Sequence, residues 1–287
     1  MDLFCSGIAR KGNHHRQDCG LVDLQMCNLS CRERKNGMVF EKYMPGQPSN
    51  EAHRALSAMM QDFDTGKSYA DMMRHRISGK AAGSCFDVYY VAHQQGTAYS
   101  RLWMGWGRHS DAIGNWGNFY TDAAFRGKGL GTRLLDLWHD DLQSMTDAPL
   151  CFLCTTGSSW VTDLYRRYGF RPIFAERQYG PLYKPMDTSP ASFDDFCEAY
   201  YRPSAVLYRR PADIAYRHEI DCLLRFVYAK RDLPFGFKGL DSIEAGILYC
   251  PDRVGMLFSG DGHCVGWSFD DAVQLHPAYK DAVVELQ

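Results

Sequence analysis

No run of apolar residues in this sequence approaches the roughly 18 needed to cross a bilayer as a helix. The N-terminal stretch Met1 to Arg10 lacks the apolar core of a secretory leader. A cytoplasmic location with no membrane partner is therefore the expectation. An excess of one charge is missing too. Lys and Arg number 32 against 34 Asp and Glu, and a net charge of −2 gives no support for nucleic-acid or anionic-membrane binding. Cysteine is plentiful at 11 residues, but the odd count and wide scatter exclude a small disulfide framework. Most of these thiols are expected to be free and buried as small hydrophobes. A second metal-binding pair is also lacking. His14, His15, Cys19, Cys27 and Cys31 cluster near the N-terminus, yet no matching pair follows at finger spacing. No metal is expected there. Residues 1–36 read instead as an extension with little structure of their own.

What is present is ordinary for a globular protein. The 287 residues are 45% hydrophobic and 23% charged, enough for one or two domains with a large core. One stretch organises the rest: Phe125-Arg126-Gly127-Lys128-Gly129-Leu130-Gly131-Thr132-Arg133-Leu134-Leu135. A strand read over Ala112 to Thr121 precedes it, and an amphipathic helix from about Gly129 to Ser144 follows. A glycine-rich turn between strand and helix is an anion cradle. The first-turn amides have no intrahelical partner, and the helix dipole adds positive charge there. Arg126 and Lys128 add two cations. The P-loop spacing does not fit, and the dinucleotide pattern fails because Leu134 stands where its third glycine belongs.

Taken in order, Met38 to Met44 alternates as a strand. Asn50 caps a helix over Glu51 to Asp62, and a second helix covers Ser68 to Ile77. Cys85 to His93, Thr97 to Trp106 and Ala112 to Thr121 form an antiparallel meander. After the cradle helix, with Leu130, Leu134, Leu135, Leu137 and Trp138 inside, Leu150 to Thr155 is a strand. Cys151 and Cys154 point to its two faces as core residues. A helix from Trp160 to Tyr168 ends at Gly169, which can take a left-handed conformation. Arg171 to Glu176 and Pro181 to Pro185 read as a terminal hairpin.

The cradle, R-x-x-G-x-G at Arg126, Gly129 and Gly131, resembles the acyl-CoA pyrophosphate loop of the GNAT superfamily of N-acetyltransferases. Leu164-Tyr165-Arg166-Arg167-Tyr168-Gly169-Phe170 matches that superfamily's second motif, L-Y-x-x-x-G-F. The element order over 38–186 is similar to the family layout. The resemblance implies an α/β (α+β) fold: a mixed, largely antiparallel sheet flanked by helices, with a smaller α+β module after it. The implied division is 1–36 extension, 37–186 acetyltransferase domain and 187–287 C-terminal module.

The resemblance also implies roles. Acetyl-CoA is the expected co-substrate. The family's strand before the cradle splays from its neighbour and polarises the thioester through backbone amides, here those of Phe119 and Thr121, with Tyr120 between them. Arg126, Gly127, Lys128, Gly129, Leu130, Gly131 and Thr132 are expected to hold the pyrophosphate. Tyr165 matches the family's general acid beside the thioester sulfur. Ser158 falls where many members carry an asparagine that contacts pantetheine. Many members also have a glutamate base on the strand before the cradle, and this strand has Asn115 and Asn118 instead. Asp122 is the candidate base, with His109, Asp111 or a water chain as alternatives. An acceptor amine would meet aromatic walls among Tyr89, Tyr90, Tyr99, Trp103, Trp106, Trp116 and Tyr120, some of which must be core. Asp62, Asp64 and Asp71 read as a solvated helix surface in preference to an amine site.

Beyond a linker from Asp187, Ser192 caps a helix to Tyr201, and Ser204 to Arg210 is a strand. Pro211 opens a helix to Lys230. Ile247 to Cys250, Val254 to Phe258 and Cys264 to Phe269 read as strands, with Ser259 to Gly262 as a hairpin turn. No family is legible here. Leu275-His276-Pro277-Ala278-Tyr279-Lys280 resembles the approach to a cradle, so a degenerate second copy is one reading. A lid, substrate-binding or dimerisation module is the other, and a homodimer is left open. The leading expectation is acetyl transfer to a small-molecule primary amine. The alternatives are an acyl-CoA-binding sensor and a protein or peptide N-acetyltransferase.

Overall fold

The computed structural model describes residues 32–35, 37–47, 50–61, 67–108, 113–145, 148–186, 192–236, 240 and 242–286. The N-terminal His and Cys cluster, Asp62, Asp64, His109 and Asp111 lie outside these residues. The first sheet runs β1 (Arg32–Lys35), β2 (Met38–Tyr43), β3 (Cys85–Gln94), β4 (Thr97–Gly107), β5 (Ile113–Thr121), β6 (Cys151–Thr155), then β8 (Pro181–Pro185) and β7 (Arg171–Pro172) at its far edge. Neighbours pair antiparallel except β5 and β6, which are parallel. β1 falls in the segment expected to have little structure, where it pairs with β2 across Gly37. The first strand of the expected hairpin shrinks to Arg171–Pro172, because Pro172 has no amide to extend the ladder, and the second is present as expected.

The helices form where caps and apolar spacing agree. α1 (Glu51–Gln61) starts at Asn50, whose side-chain oxygen accepts from the His53 amide at 2.8 Å. With α2 (Lys67–Ile77) it covers one sheet face, packing Ala55, Leu56, Met73 and Ile77 on Tyr89, Val91 and Trp103. α3 (Leu130–Ser144) lies on the other face. Its Trp138 indole donates to Met104 Sδ at 3.3 Å, and its ring meets Trp116. Leu137 sits at the margin. Asp141 is buried in its stead, held by Lys42 at 2.7 Å and by the Tyr90 hydroxyl. α4 (Ser159–Arg166) closes at Gly169, where φ is 88°.

The C-terminal segment builds a second sheet, ordered β12 (Ala272–Leu275), β11 (Cys264–Phe269), β10 (Val254–Phe258), β9 (Val206–Pro211), β13 (Val283–Leu286). Two expectations change. Pro211 ends β9 and does not open a helix. The helical run begins later and contains a π segment, Glu219–Leu224, before α6 (Arg225–Lys230). Ile247 to Cys250 belongs not to a strand but to α7 (Ile243–Tyr249). Ser242 caps that helix, accepting from the Ala245 amide at 3.1 Å, and this start signal outweighs the strand-like apolar run. α5 (Phe193–Tyr200) has the expected Ser192 cap, with Asp195 completing a capping box.

This second sheet repeats half of the first. β9, the helical run over 217–230, α7, β10, β11 and β12 follow in the order of β2, α1, α2, β3, β4 and β5. In both, the four strands lie side by side in chain order and antiparallel. The turn after the fourth strand repeats too. Asp122 caps the 3-10 turn Ala123–Phe125 by accepting from the Ala124 amide, and His276 caps Pro277–Tyr279 by accepting from Ala278. The copies then part. The first enters the glycine cradle, whereas the second goes into β13, parallel to β9.

The two sheets share a core. Ile113, Cys151, Leu153 and Tyr183 pack with Phe193, Phe196, Leu223 and Phe226. All described residues fall in one compact unit, Cys31–Gln287.

Candidate active site

β5 parts from β6 where the site begins. Their parallel pairing runs only through Ile113–Cys151, Gly114–Phe152 and Asn115–Leu153. Beyond Asn115 the strands diverge, and β5 keeps β4 as its one neighbour. A bulge marks the divergent part. Arg101 pairs with Tyr120 and Trp103 with Gly117, so Asn118 and Phe119 together oppose the single Leu102. Asn118 takes φ of 50°, and Arg101 Nε donates to its Oδ1 at 3.0 Å. The extra residue breaks the alternation. Trp116 and Phe119 therefore turn to the same face, with ring centroids 6.3 Å apart.

Thr121 leads into the turn. Its hydroxyl meets Ser100 Oγ at 2.8 Å, and its carbonyl accepts from Arg126 Nε at 3.0 Å. The Arg126 guanidinium lies 5.9 Å from the Tyr120 ring, and the Lys128 ammonium 4.5 Å from the Phe125 ring. α3 then starts from Gly129, at φ 78°, with no side-chain cap on its first amides. A Cβ at Gly127 or Gly129 would meet no atom within 4 Å, so the backbone here faces open space. Gly131 differs. A Cβ there would stand 2.7 Å from Phe119 Cζ, and only glycine lets α3 approach β5 this closely.

α4 brings in Tyr165. It is 5% exposed and meets Trp116 edge-on at 4.4 Å and Phe119 at 6.0 Å. Burial, with a smaller contribution from Cys154, pushes its phenol far above the ordinary value. Ser158 occupies the N-cap position of α4, but its side chain makes no capping hydrogen bond. Tyr168 donates to Asp136 at 2.7 Å and ties the end of α4 to α3.

Phe119, Gly131 and Tyr165 thus converge from three elements, with Thr121, Arg126 and Tyr120 joined to them through β5. Asp122 Oδ1 is engaged by its own turn, accepting from the Ala124 amide at 2.8 Å. Of the expected acceptor walls, Tyr89, Tyr90, Trp103, Trp106 and Trp116 are core, and Tyr99 and Tyr120 stay half-buried. A cavity of about 430 Å³ bordered by Cys197, Tyr201, Lys230 and His276 lies in the C-terminal segment, away from this constellation. The constellation carries the reading because it joins the diverging strands, the uncapped α3 amides and the Tyr165 phenol.

Sequence reasoning missed a buried polar network behind the site. Arg217 is 1% exposed and donates to Asp87 Oδ1 at 2.9 Å, which also accepts from Trp103 Nε1 at 2.8 Å. Arg76 donates to Glu244 Oε1 at 2.9 Å, and the Arg217 Nε–Glu244 separation is 3.7 Å. Burial drives the Glu244 carboxyl up, but Arg76 and then Arg217 more than offset it and hold it below its ordinary value. The one signal for this network was a charge inside an apolar strand, Asp87 in CFDVYYVAH. Arg101 in TAYSRLWMGWG is its counterpart at the bulge.

Among the described residues, no helix is long and apolar enough to cross a membrane, and no group of three or more His, Cys, Asp or Glu could hold a metal. No curated protein matches the sequence. Among solved structures, an acyl-CoA N-acyltransferase from Pseudomonas aeruginosa is similar at 14% identity. The likeness covers 51% of this chain and 99% of that one, with a TM-score of 0.39. An acetyltransferase from Streptococcus agalactiae 2603 is similar at 14% identity over 53% and 100%, with a TM-score of 0.38. The GNAT family N-acetyltransferase YhbS from Escherichia coli, solved in complex with CoA, is similar at 12% identity over 51% and 82%, with a TM-score of 0.35. The family model described as an acetyltransferase (GNAT) domain matches residues 86–172, which hold the splay, the cradle and Tyr165. This chain carries a GNAT acetyltransferase domain and is an acyltransferase.

Proposed function

We propose that the protein transfers an acetyl group from acetyl-CoA to a primary amine of a small-molecule acceptor, by direct attack with both substrates bound. The observation that carries this reading is the parting of β5 from β6 beyond Asn115, beside the uncapped amides of α3 and the Tyr165 phenol. The residues present fit a CoA ligand. The α3 N-terminus offers free amides, the glycines leave room above them, and Arg126 and Lys128 are exposed cations.

Acetyl-CoA supplies the acyl group as an activated thioester. In this reading the Gly127 to Thr132 backbone holds the pyrophosphate. The Phe119 and Thr121 amides, with Tyr120 between them, hold the thioester carbonyl and stabilise charge on its oxygen. Ser158 borders the pantetheine arm. Tyr165 donates its proton to the departing sulfur as the carbon–sulfur bond breaks. Its raised pKa keeps it protonated until that moment. The acceptor nitrogen loses a proton on attack. Asp122, whose Oδ1 is held by Ala124, has its second oxygen to take that proton.

A second reading, an acyl-CoA-binding protein with little turnover, is favoured by one observation: β5 (IGNWGNFYT) carries no carboxylate. Thiol release from acetyl-CoA against an amine panel separates the two. Turnover with any amine supports transfer. Tight CoA binding with no turnover for every amine removes the enzymatic reading. The homodimer, the 37–186 and 187–287 division and the cytoplasmic location belong to the same proposal, and sedimentation of the full chain tests the first.

A further inference from the structure

Asn118 is a strand residue in a left-handed backbone conformation, at φ 50°. Asn tolerates that conformation better than most non-glycine residues, and inside a strand it is held there by its surroundings. Two side-chain contacts hold it. Arg101 Nε donates to Asn118 Oδ1 at 3.0 Å, and Asn118 Nδ2 reaches Met73 Sδ at 3.8 Å. Arg101 is itself fully buried and pinned, its guanidinium 4.9 Å from the ring of Tyr120, its cross-strand partner. The bulge that Asn118 creates decides which way the next amides point. Without the extra residue, the part of β5 that faces the splay would be shifted by one position, and Phe119 would turn away from Tyr165.

We infer that Arg101 and Asn118 are positioning residues for acyl transfer: their hydrogen bond locks the β5 bulge and so aims the Phe119 and Thr121 amides at the thioester carbonyl. This rests on the acetyl-transfer reading above. The Asn118 side chain reaches Met73 of α2, on the sheet face opposite α3 and its uncapped amides, while Arg101 shares the Tyr120 ring with Arg126 of the cradle. The Arg101–Asn118 hydrogen bond therefore acts first on the acyl end of the ligand. Asp at 118 keeps both the acceptor oxygen and a tolerance for left-handed backbone. Gly keeps the conformation and loses the oxygen. Ala loses both.

The test uses the full chain with CoA and with acetyl-CoA labelled with ¹³C at its carbonyl. Isotope-edited infrared spectra report polarisation of the bound carbonyl, and calorimetry gives the two affinities. The wild-type band is expected below that of the free thioester. For Asn118→Ala and Asn118→Gly, CoA affinity is expected to stay unchanged. The preference for acetyl-CoA over CoA should fall about 3- to 10-fold, the worth of one net hydrogen bond, and the band should move back toward the free value. Asn118→Asp is expected to restore both. Asn118→Gly decides the matter if the Ala variant does not fold. A wild-type preference and an unshifted band in Asn118→Gly would overturn the positioning role and leave acetyl transfer standing. A wild-type chain that binds no CoA would overturn the acetyl-transfer reading, and the positioning role with it.

Discussion

Phe119 and Tyr165 face each other edge-on across the mouth of the splay, with ring centroids 6.0 Å apart. One residue belongs to the strand that would polarise the thioester, the other to the helix that would protonate its sulfur. Their contact fixes the two functions relative to each other. The ring of Tyr165 also packs on Trp116 and Phe170, so removing its hydroxyl leaves the packing intact. Tyr165→Phe is expected to retain stability and acetyl-CoA affinity while losing roughly 10²- to 10⁴-fold in turnover, the range for one general acid. Thiol-release kinetics check this. An undiminished rate would remove Tyr165 from the chemistry.

The cradle glycines should respond differently to the same methyl group. At Gly131 a Cβ would sit 2.7 Å from Phe119 Cζ. Gly131→Ala therefore has to push Phe119 off Tyr165, at a cost of about 1–3 kcal/mol from overpacking. Gly129 has empty space around it but φ of 78°. Gly129→Ala should cost about 1–2 kcal/mol from backbone strain alone. Urea denaturation gives both values. The distinguishing measurement is the affinity for CoA against acetyl-CoA. Gly131→Ala should weaken the acetyl ligand more, and Gly129→Ala should weaken both alike.

The Arg217 network predicts that the C-terminal residues are needed for a stable fold. Arg217→Met strands Asp87 and weakens the hold on Glu244, and breaking such a buried pair costs about 3–5 kcal/mol. Adding Asp87→Asn should recover part of that loss. The same network gives an acid limb. Glu244 has a folded pKa below its ordinary 4.5. Its contribution to stability is therefore complete above that value and disappears as pH falls through the lower folded one. Glu244→Gln should flatten the acid limb of a stability–pH curve, and an unchanged limb would contradict the network's role. Deleting residues 187–287 should give insoluble protein, because Leu153 and Tyr183 lose the cover of Leu223 and Phe193.

The sequence by itself determined the parts of this protein that act over short distances. Arg126 to Gly131 forms its turn because Gly127 and Gly129 permit φ of 74° and 78° there. α3 and α4 follow from apolar spacing, and Gly169 from the end of a helix. Leu164 to Phe170 could therefore be matched as a motif, and the cradle carries the expectation of an acyl-CoA loop from its residues alone.

Only the tertiary structure decided the rest. Ile247 to Cys250 looks like a strand until Ser242 is seen capping a helix through it. The half-repeat of the second sheet is a matter of strand order, which depends on pairing between residues far apart in the chain. The bulge at Asn118 is bonded by Arg101 from another strand, and the charge of the Asp87 carboxylate in an apolar strand is met by Arg217, which arrives 130 positions later. A buried charge needs a partner, and sequence spacing does not say which distant residue supplies it.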